Sequence, residues 1–96
     1  MDYEFDFDPT KNRELKKTRG ISFEEVIFAI LQGQYLDILE HPNQVKYSNQ
    51  KIFVLDIDDY IYLVPFVVNK EKIFLKTIFP SRKATKKYLE RGDCDE

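Results

Sequence analysis

A chain of 96 residues, 43% hydrophobic and 15% aromatic with eight Phe and six Tyr, has enough apolar matter for one small domain with a packed core, which excludes an intrinsically disordered polypeptide. The only cysteine, Cys94, excludes an internal disulfide, and with His41 as the only histidine the pair cannot build a structural zinc site. The net charge of −2 hides a segregated distribution. Residues 1–8 carry four acids and no base, and residues 11–19 carry five bases and one acid. Residues 24–64 carry seven acids and two bases, residues 70–91 carry eight bases and two acids, and residues 93–96 add three acids.

Tyr3, Phe5 and Phe7 alternate with Glu4, Asp6 and Asp8, the period of a strand with one buried face. Asp8 then suits a helix N-cap and Pro9 the first helical position. The helix that follows carries Lys11, Arg13, Lys16 and Lys17, buries little beyond Leu15, and meets Gly20 as its terminator. Ser22-Phe-Glu-Glu25 forms a capping box, and Phe23, Val26, Ile27, Ile30 and Leu31 predict a second helix with a buried stripe, ending at Gly33.

Strands follow. Tyr35, Leu36 and Ile38 begin one, His41-Pro42-Asn43 makes a turn, and Val45–Tyr47 continues as a short strand. Ile52–Ile57 is a strong strand, and Asp56, Asp58 and Asp59 read as turn chemistry. Tyr60–Val68 is the most apolar stretch, and Pro65, which removes a ladder donor, predicts a bulge or an edge. After the Asn69-Lys-Glu71 turn a last strand spans Lys72–Phe79, with Ile73, Leu75 and Thr77 facing away from Phe74, Lys76 and Ile78. Ser81 caps a final helix that buries Ala84, Tyr88 and Leu89 and stops at Gly92. Short turns imply an antiparallel meander, so the expected fold is α+β: a twisted antiparallel sheet with two N-terminal helices and a short C-terminal helix, all packed on one face. Residues 1–92 form one domain in this reading, and 93–96 a disordered acidic tail.

No run nears the ~20 apolar residues that cross a bilayer, and Met1-Asp2-Tyr3-Glu4 is acidic where a secretory leader is basic. The expectation is a soluble, cytoplasmic protein with no membrane partner and no metal or cofactor. The one concentration of unusual chemistry is the strand-to-helix corner at Pro80, where Arg82, Lys83, Lys86 and Lys87 gather on a molecule of net negative charge. A basic patch of this kind suits a polyanion such as RNA. RNA carries its own nucleophile, the 2′-hydroxyl, so a protein can promote cleavage by orienting the sugar-phosphate and stabilising developing charge. Arginine fits that task through its planar, always ionised fork. His41 is a further acid–base candidate, or simply a turn histidine before Pro42.

Phe5-Asp-Phe-Asp-Pro-Thr-Lys-Asn-Arg13, followed by Lys17-Thr-Arg-Gly-Ile-Ser-Phe-Glu-Glu-Val26, resembles the N-terminal signature of BrnT-type toxins, and Ser81-Arg-Lys-Ala-Thr85 is similar to that family's terminal helix pattern. Residues 35–72 between the two matches resemble it only as generic strands. The resemblance implies a RelE-like fold and the toxin component of a bacterial toxin–antitoxin system. It further implies a metal-independent ribonuclease that inhibits translation, and a tight complex with a cognate antitoxin. In that reading Arg82 stabilises the phosphate, Arg19 stands where relatives carry histidine, and Tyr88 serves proton transfer or base stacking. Lys11, Arg13, Lys17, Lys83 and Lys86 would hold RNA. A guanidinium does not deprotonate, so Arg19 can bind phosphate but cannot replace a proton-transferring histidine. The competing readings are a non-catalytic RNA-binding module and a protein-interaction domain using the Tyr60–Phe66 strand. Both basic segments are expected to meet as one surface.

Overall fold

The computed structural model describes residues 4–40, 45–46 and 50–89. His41, Cys94, Gly92 and the expected acidic tail lie outside them. Three helices and six strands follow in the order β1(Glu4–Asp6), α1(Pro9–Arg19), α2(Phe23–Leu31), β2(Tyr35–Glu40), β3(Gln50–Ile57), β4(Tyr60–Asn69), β5(Lys72–Leu75), β6(Phe79–Pro80) and α3(Arg82–Leu89). The architecture is α+β, with the sheet order β1-β5-β4-β3-β2 and β6 alongside β4.

Local chemistry sets the helix ends. The Asp8 carboxylate accepts from the Thr10 amide at 2.9 Å, with Pro9 in the first turn. α1 ends at Gly20, whose φ of +67° is the left-handed conformation glycine adopts without strain. The Ser22 hydroxyl accepts from the Glu25 amide while the Glu25 carboxylate accepts from the Ser22 amide, both at 3.2 Å, closing the expected capping box. Asp58 and Asp59 both have positive φ, so β3 and β4 are joined by a two-residue turn of the primed kind that matches strand twist.

Pairing between distant segments overturns three expectations. The sheet is mixed rather than antiparallel: β1 runs parallel to β5, with Phe5 opposite Ile73. A parallel neighbour needs a long crossover, and α1, α2 and three intervening strands supply it. Pro65 lies in neither an edge nor a bulge of its own strand, since β3 and β4 pair without a break from Gln50↔Val67 to Ile57↔Tyr60. Its carbonyl accepts from the Lys76 amide at 2.8 Å, so its nitrogen points at the same neighbouring strand. That neighbour is interrupted there, between the end of β5 at Leu75 and the start of β6 at Phe79. The irregularity that the proline demands therefore falls on the adjacent segment.

The same interruption alters the facing of the last strand. β5 pairs Phe66↔Leu75 but β6 pairs Leu63↔Phe79, one residue out of step. Alternation is reset, and Ile78 joins Ile73 and Leu75 in the core instead of facing away from them. Val45 and Lys46 form a turn and not the short strand expected at 45–47; Tyr47 lies outside the described residues.

Register also assigns the two faces. Phe53 and Leu55 of β3, Val64 and Phe66 of β4 and Ile73 and Leu75 of β5 share one face, packed against Leu15 of α1, Ile21, and Phe23, Val26 and Ile30 of α2. Phe53 stacks on Phe66 at 4.2 Å and Phe7 on Phe23 at 5.0 Å between ring centroids. Each large side chain buried here stabilises the fold by about 1.5–3 kcal/mol. The other face carries Ile61 and Leu63 of β4, Val54 of β3 and Leu39 and Asp37 of β2, and α3 packs there. The expectation that all three helices share one face is thus corrected. α1 and α2 cover one side and α3 covers the other, because consecutive residues of a strand point to opposite sides and both sets on β3 and β4 are apolar.

Candidate nucleic-acid interface

The position of α3 follows from a short polar relay. Ser81 follows β6 with its amide donating to the Ile61 carbonyl at 2.9 Å, which carries the ladder to the last residue before the helix. Its hydroxyl then accepts from the Ala84 amide at 3.1 Å, as an N-cap does. One turn on, Thr85 is 5% exposed. Its hydroxyl donates to the Ser81 carbonyl at 2.7 Å and accepts from the buried Ile61 amide at 2.9 Å. That amide has no strand neighbour on its side, so Thr85 satisfies a donor that would otherwise be buried alone. Thr85, rather than the expected Leu89, is the buried residue of α3; Leu89 is 37% exposed and Ala84 and Tyr88 are half-buried.

With Ala84, Thr85 and Tyr88 toward the sheet, helical spacing sends the cations outward in two rows. Lys83 and Lys87 form one and Arg82 and Lys86 the other, and all four are exposed. Lys83 and Lys87 rim a groove of about 220 Å³ whose floor is Leu39 of β2 and Leu63 of β4 and whose far end is Tyr88. The Tyr88 hydroxyl donates to the Asp37 carboxylate at 3.0 Å, tying the helix end to the edge strand. Burial first, then the hydrogen bond and charge of Asp37, raises the Tyr88 pKa above its ordinary value, so the phenol stays protonated at neutral pH. Lys87 lies over the Tyr88 ring, 5.5 Å from its centroid.

The two ends of α3 differ electrostatically. Lys86 and Lys87 lie in the last turn, where the helix dipole favours cations. Arg82 and Lys83 lie in the first turn, where it disfavours them and where no acid offsets them. The first-turn amides also lack intrahelical acceptors, as in any helix. Ser81 takes the Ala84 and Thr85 amides, so this corner joins two side-chain cations to the remaining first-turn amides of Arg82 and Lys83, a combination suited to an anion. The salt bridges Lys16–Glu24 and Lys72–Glu4 both lie away from α3.

The structure does not assemble the remaining candidates at this corner. Lys11, Arg13, Lys17 and Arg19 belong to α1, on the opposite face of the sheet. Lys16, Lys17 and Arg19 sit in the last turn of that helix, where its dipole accounts for them. The expected single surface is corrected to two basic helices separated by the sheet. Arg82 and Tyr88, though both on α3, are six residues apart, about 9 Å along the axis. Asp37, Thr85 and the apolar floor of Leu39 and Leu63 were missed by sequence reasoning. The Ser81–Thr85 spacing of one helical turn was the only local signal among them, since Asp37 is 51 residues from Tyr88.

No protein-family model, no curated protein and no solved structure matches this chain. No helix among the described residues is long and apolar enough to cross a membrane.

Proposed function

We propose that the α3 corner and its groove bind single-stranded RNA, and that the protein is the toxin of a toxin–antitoxin pair, a RelE-like, metal-independent ribonuclease silenced by a cognate antitoxin. The observation that carries the RNA reading is the pair Arg82 and Lys83 at the N-terminus of α3. The fold gains nothing from cations there, and a phosphate neutralises them. The groove adds what a nucleotide uses: two lysines at the rim for the backbone, and an apolar floor with an aromatic end for a base. The resemblance of residues 5–26 and 81–85 to BrnT-type toxins supplies the toxin reading, and the order strand, two helices, strands, helix agrees with it. Arg82 would stabilise charge on the phosphate as the 2′-hydroxyl attacks.

One feature favours a second reading, in which RNA is bound and not cut. Tyr88 is held protonated, and Arg19 lies on the other face of the sheet, so neither supplies a base beside Arg82. The two readings are separated by incubating purified protein with labelled RNA in EDTA and following retention and cleavage. Cleavage that Arg82→Ala abolishes, with growth arrest relieved on expression, supports the ribonuclease. Retention of intact RNA supports the binding module. Affinity should fall steeply with salt, and Lys83→Ala with Lys87→Ala should shallow that slope by about 0.7 for each phosphate no longer neutralised. Absence of both RNA retention and RNA cleavage at low salt refutes both.

A further inference from the structure

On the face that carries α1 and α2, a second groove of about 470 Å³ runs between α2 and the β3–β4 hairpin. Phe28, Ala29 and Ile57 contribute its apolar surface, and Glu24, Glu25 and Asp58 line it as acids; Asp56 also borders it, but its side chain shares the α3 face with its pairing partner Ile61, and no cation lines the groove. Phe28 is 64% exposed, and Leu31, one turn on along the same helix, is 68% exposed. Exposed Phe and Leu at adjoining turns are anomalous on a helix whose opposite side is packed to completion. Glu24 and Glu25 have partners within the fold: Glu24 takes the Asn12 amide at 2.9 Å and Lys16 at 3.7 Å, and Glu25 closes the capping box. The two salt bridges among the described residues leave out Asp58.

We infer that this groove is a docking site for a basic amphipathic segment of a partner polypeptide, in which an apolar side chain seats on Phe28 and Ile57 and flanking Arg or Lys residues face Asp58 and the acidic first turn of α2. Charge complementarity selects the occupant. Nucleic acid, anionic lipid and acidic peptide are all repelled by the same three acids, whereas an apolar anchor with adjacent cations satisfies rim and floor together. The site is independent of the α3 corner, which lies across the sheet, and stands or falls separately from the RNA reading. It would let the protein engage RNA and a protein at once through faces of opposite charge.

The test uses two fluorescein-labelled peptides of equal length and alternating pattern, one of Leu and Arg and the other of Leu and Glu, titrated with the intact protein by anisotropy. The Leu–Arg peptide should bind and the Leu–Glu peptide should not. Phe28→Ser should weaken binding by about tenfold or more, as loss of a central anchor does. Asp58→Asn should weaken it by up to roughly fivefold, the range for an exposed charge pair. Asn tolerates the positive φ of 55° at position 58, so the hairpin turn is retained. Glu4→Gln, an exposed acid on β1, should leave binding unchanged. An equal loss in Glu4→Gln would mean undirected attraction to an acidic protein and would overturn the proposal. So would a self-associated protein that Phe28→Ser converts to monomer, since a second copy would then occupy the groove. Unaltered RNA retention by the Phe28 and Asp58 variants is expected whichever way the peptide result falls.

Discussion

Replacing Thr85 with Val isolates the bond that places α3. The two side chains have nearly the same shape, so packing at this buried site is retained, but the hydroxyl that accepts from the Ile61 amide at 2.9 Å is gone. The Ser81 carbonyl also accepts from the Thr85 amide at 3.0 Å, so it keeps one partner; the Ile61 amide keeps none within the fold. A buried donor left unsatisfied costs about 1–3 kcal/mol. In a domain of this size each kcal/mol moves Tm by about 4–8 °C, so the middle of the range corresponds to a fall of about 8–16 °C. Thr85→Ser keeps both hydrogen bonds and loses one methyl group, worth about 0.8 kcal/mol, and should melt between the other two. Thermal unfolding followed by far-UV circular dichroism gives the order directly. RNA retention well below Tm should weaken in Thr85→Val if the helix shifts. A Val variant as stable as the parent, or less affected than the Ser variant, would refute the assignment of this hydroxyl as the anchor of α3.

Two further substitutions probe groups whose titration the fold shifts. Asn12 is buried and joins the helices of the first layer: its carbonyl accepts from the Phe23 amide at 2.7 Å and its amide donates to Glu24 at 2.9 Å. Asn12→Ala should destabilise by about 1–3 kcal/mol through the stranded Phe23 amide. The Asn12 amide is also the first cause of the lowered Glu24 pKa; burial, next in size, opposes it, and the Glu24 backbone, Lys16 and Ser22 add smaller lowering effects. A depressed carboxylate pKa stabilises the fold above the ordinary glutamate value near pH 4.3, and that contribution fades as pH falls below it. Urea midpoints measured from about pH 3 to 6 should fall less steeply toward acid in the Asn12 variant, and an unchanged slope would contradict the link. Tyr88→Phe acts at the other end of the scale. A raised phenol pKa contributes stability that is complete below about pH 10 and is lost as pH rises beyond it, so the Phe variant should flatten the alkaline limb while losing about 0.5–1 kcal/mol at neutral pH. A parent-like alkaline limb in that variant would remove the buried, Asp37-bonded Tyr88 phenol as its cause.

The chain announces its own punctuation. Asp8 with Pro9, Ser22 with Glu25, Gly20 and Asp58-Asp59 each act through backbone groups within a few residues, so their chemistry is complete in the local sequence, and each does what its residue type dictates. The apolar periods of α2, β3 and β4 are legible for the same reason: burying a stripe requires only that the stripe exist. The decisive features of the site depend instead on which distant segments meet. The parallel pairing of β1 with β5, the gap opposite Pro65, the Thr85 hydroxyl over Ile61 and the Tyr88–Asp37 tie have no local signature. Charge is the least legible of all, because a lysine on an exposed helix face satisfies no packing constraint. The sequence could show that two segments were basic, but only the sheet, with apolar residues on both sides of β3 and β4, decided that α1 and α3 would lie on opposite faces.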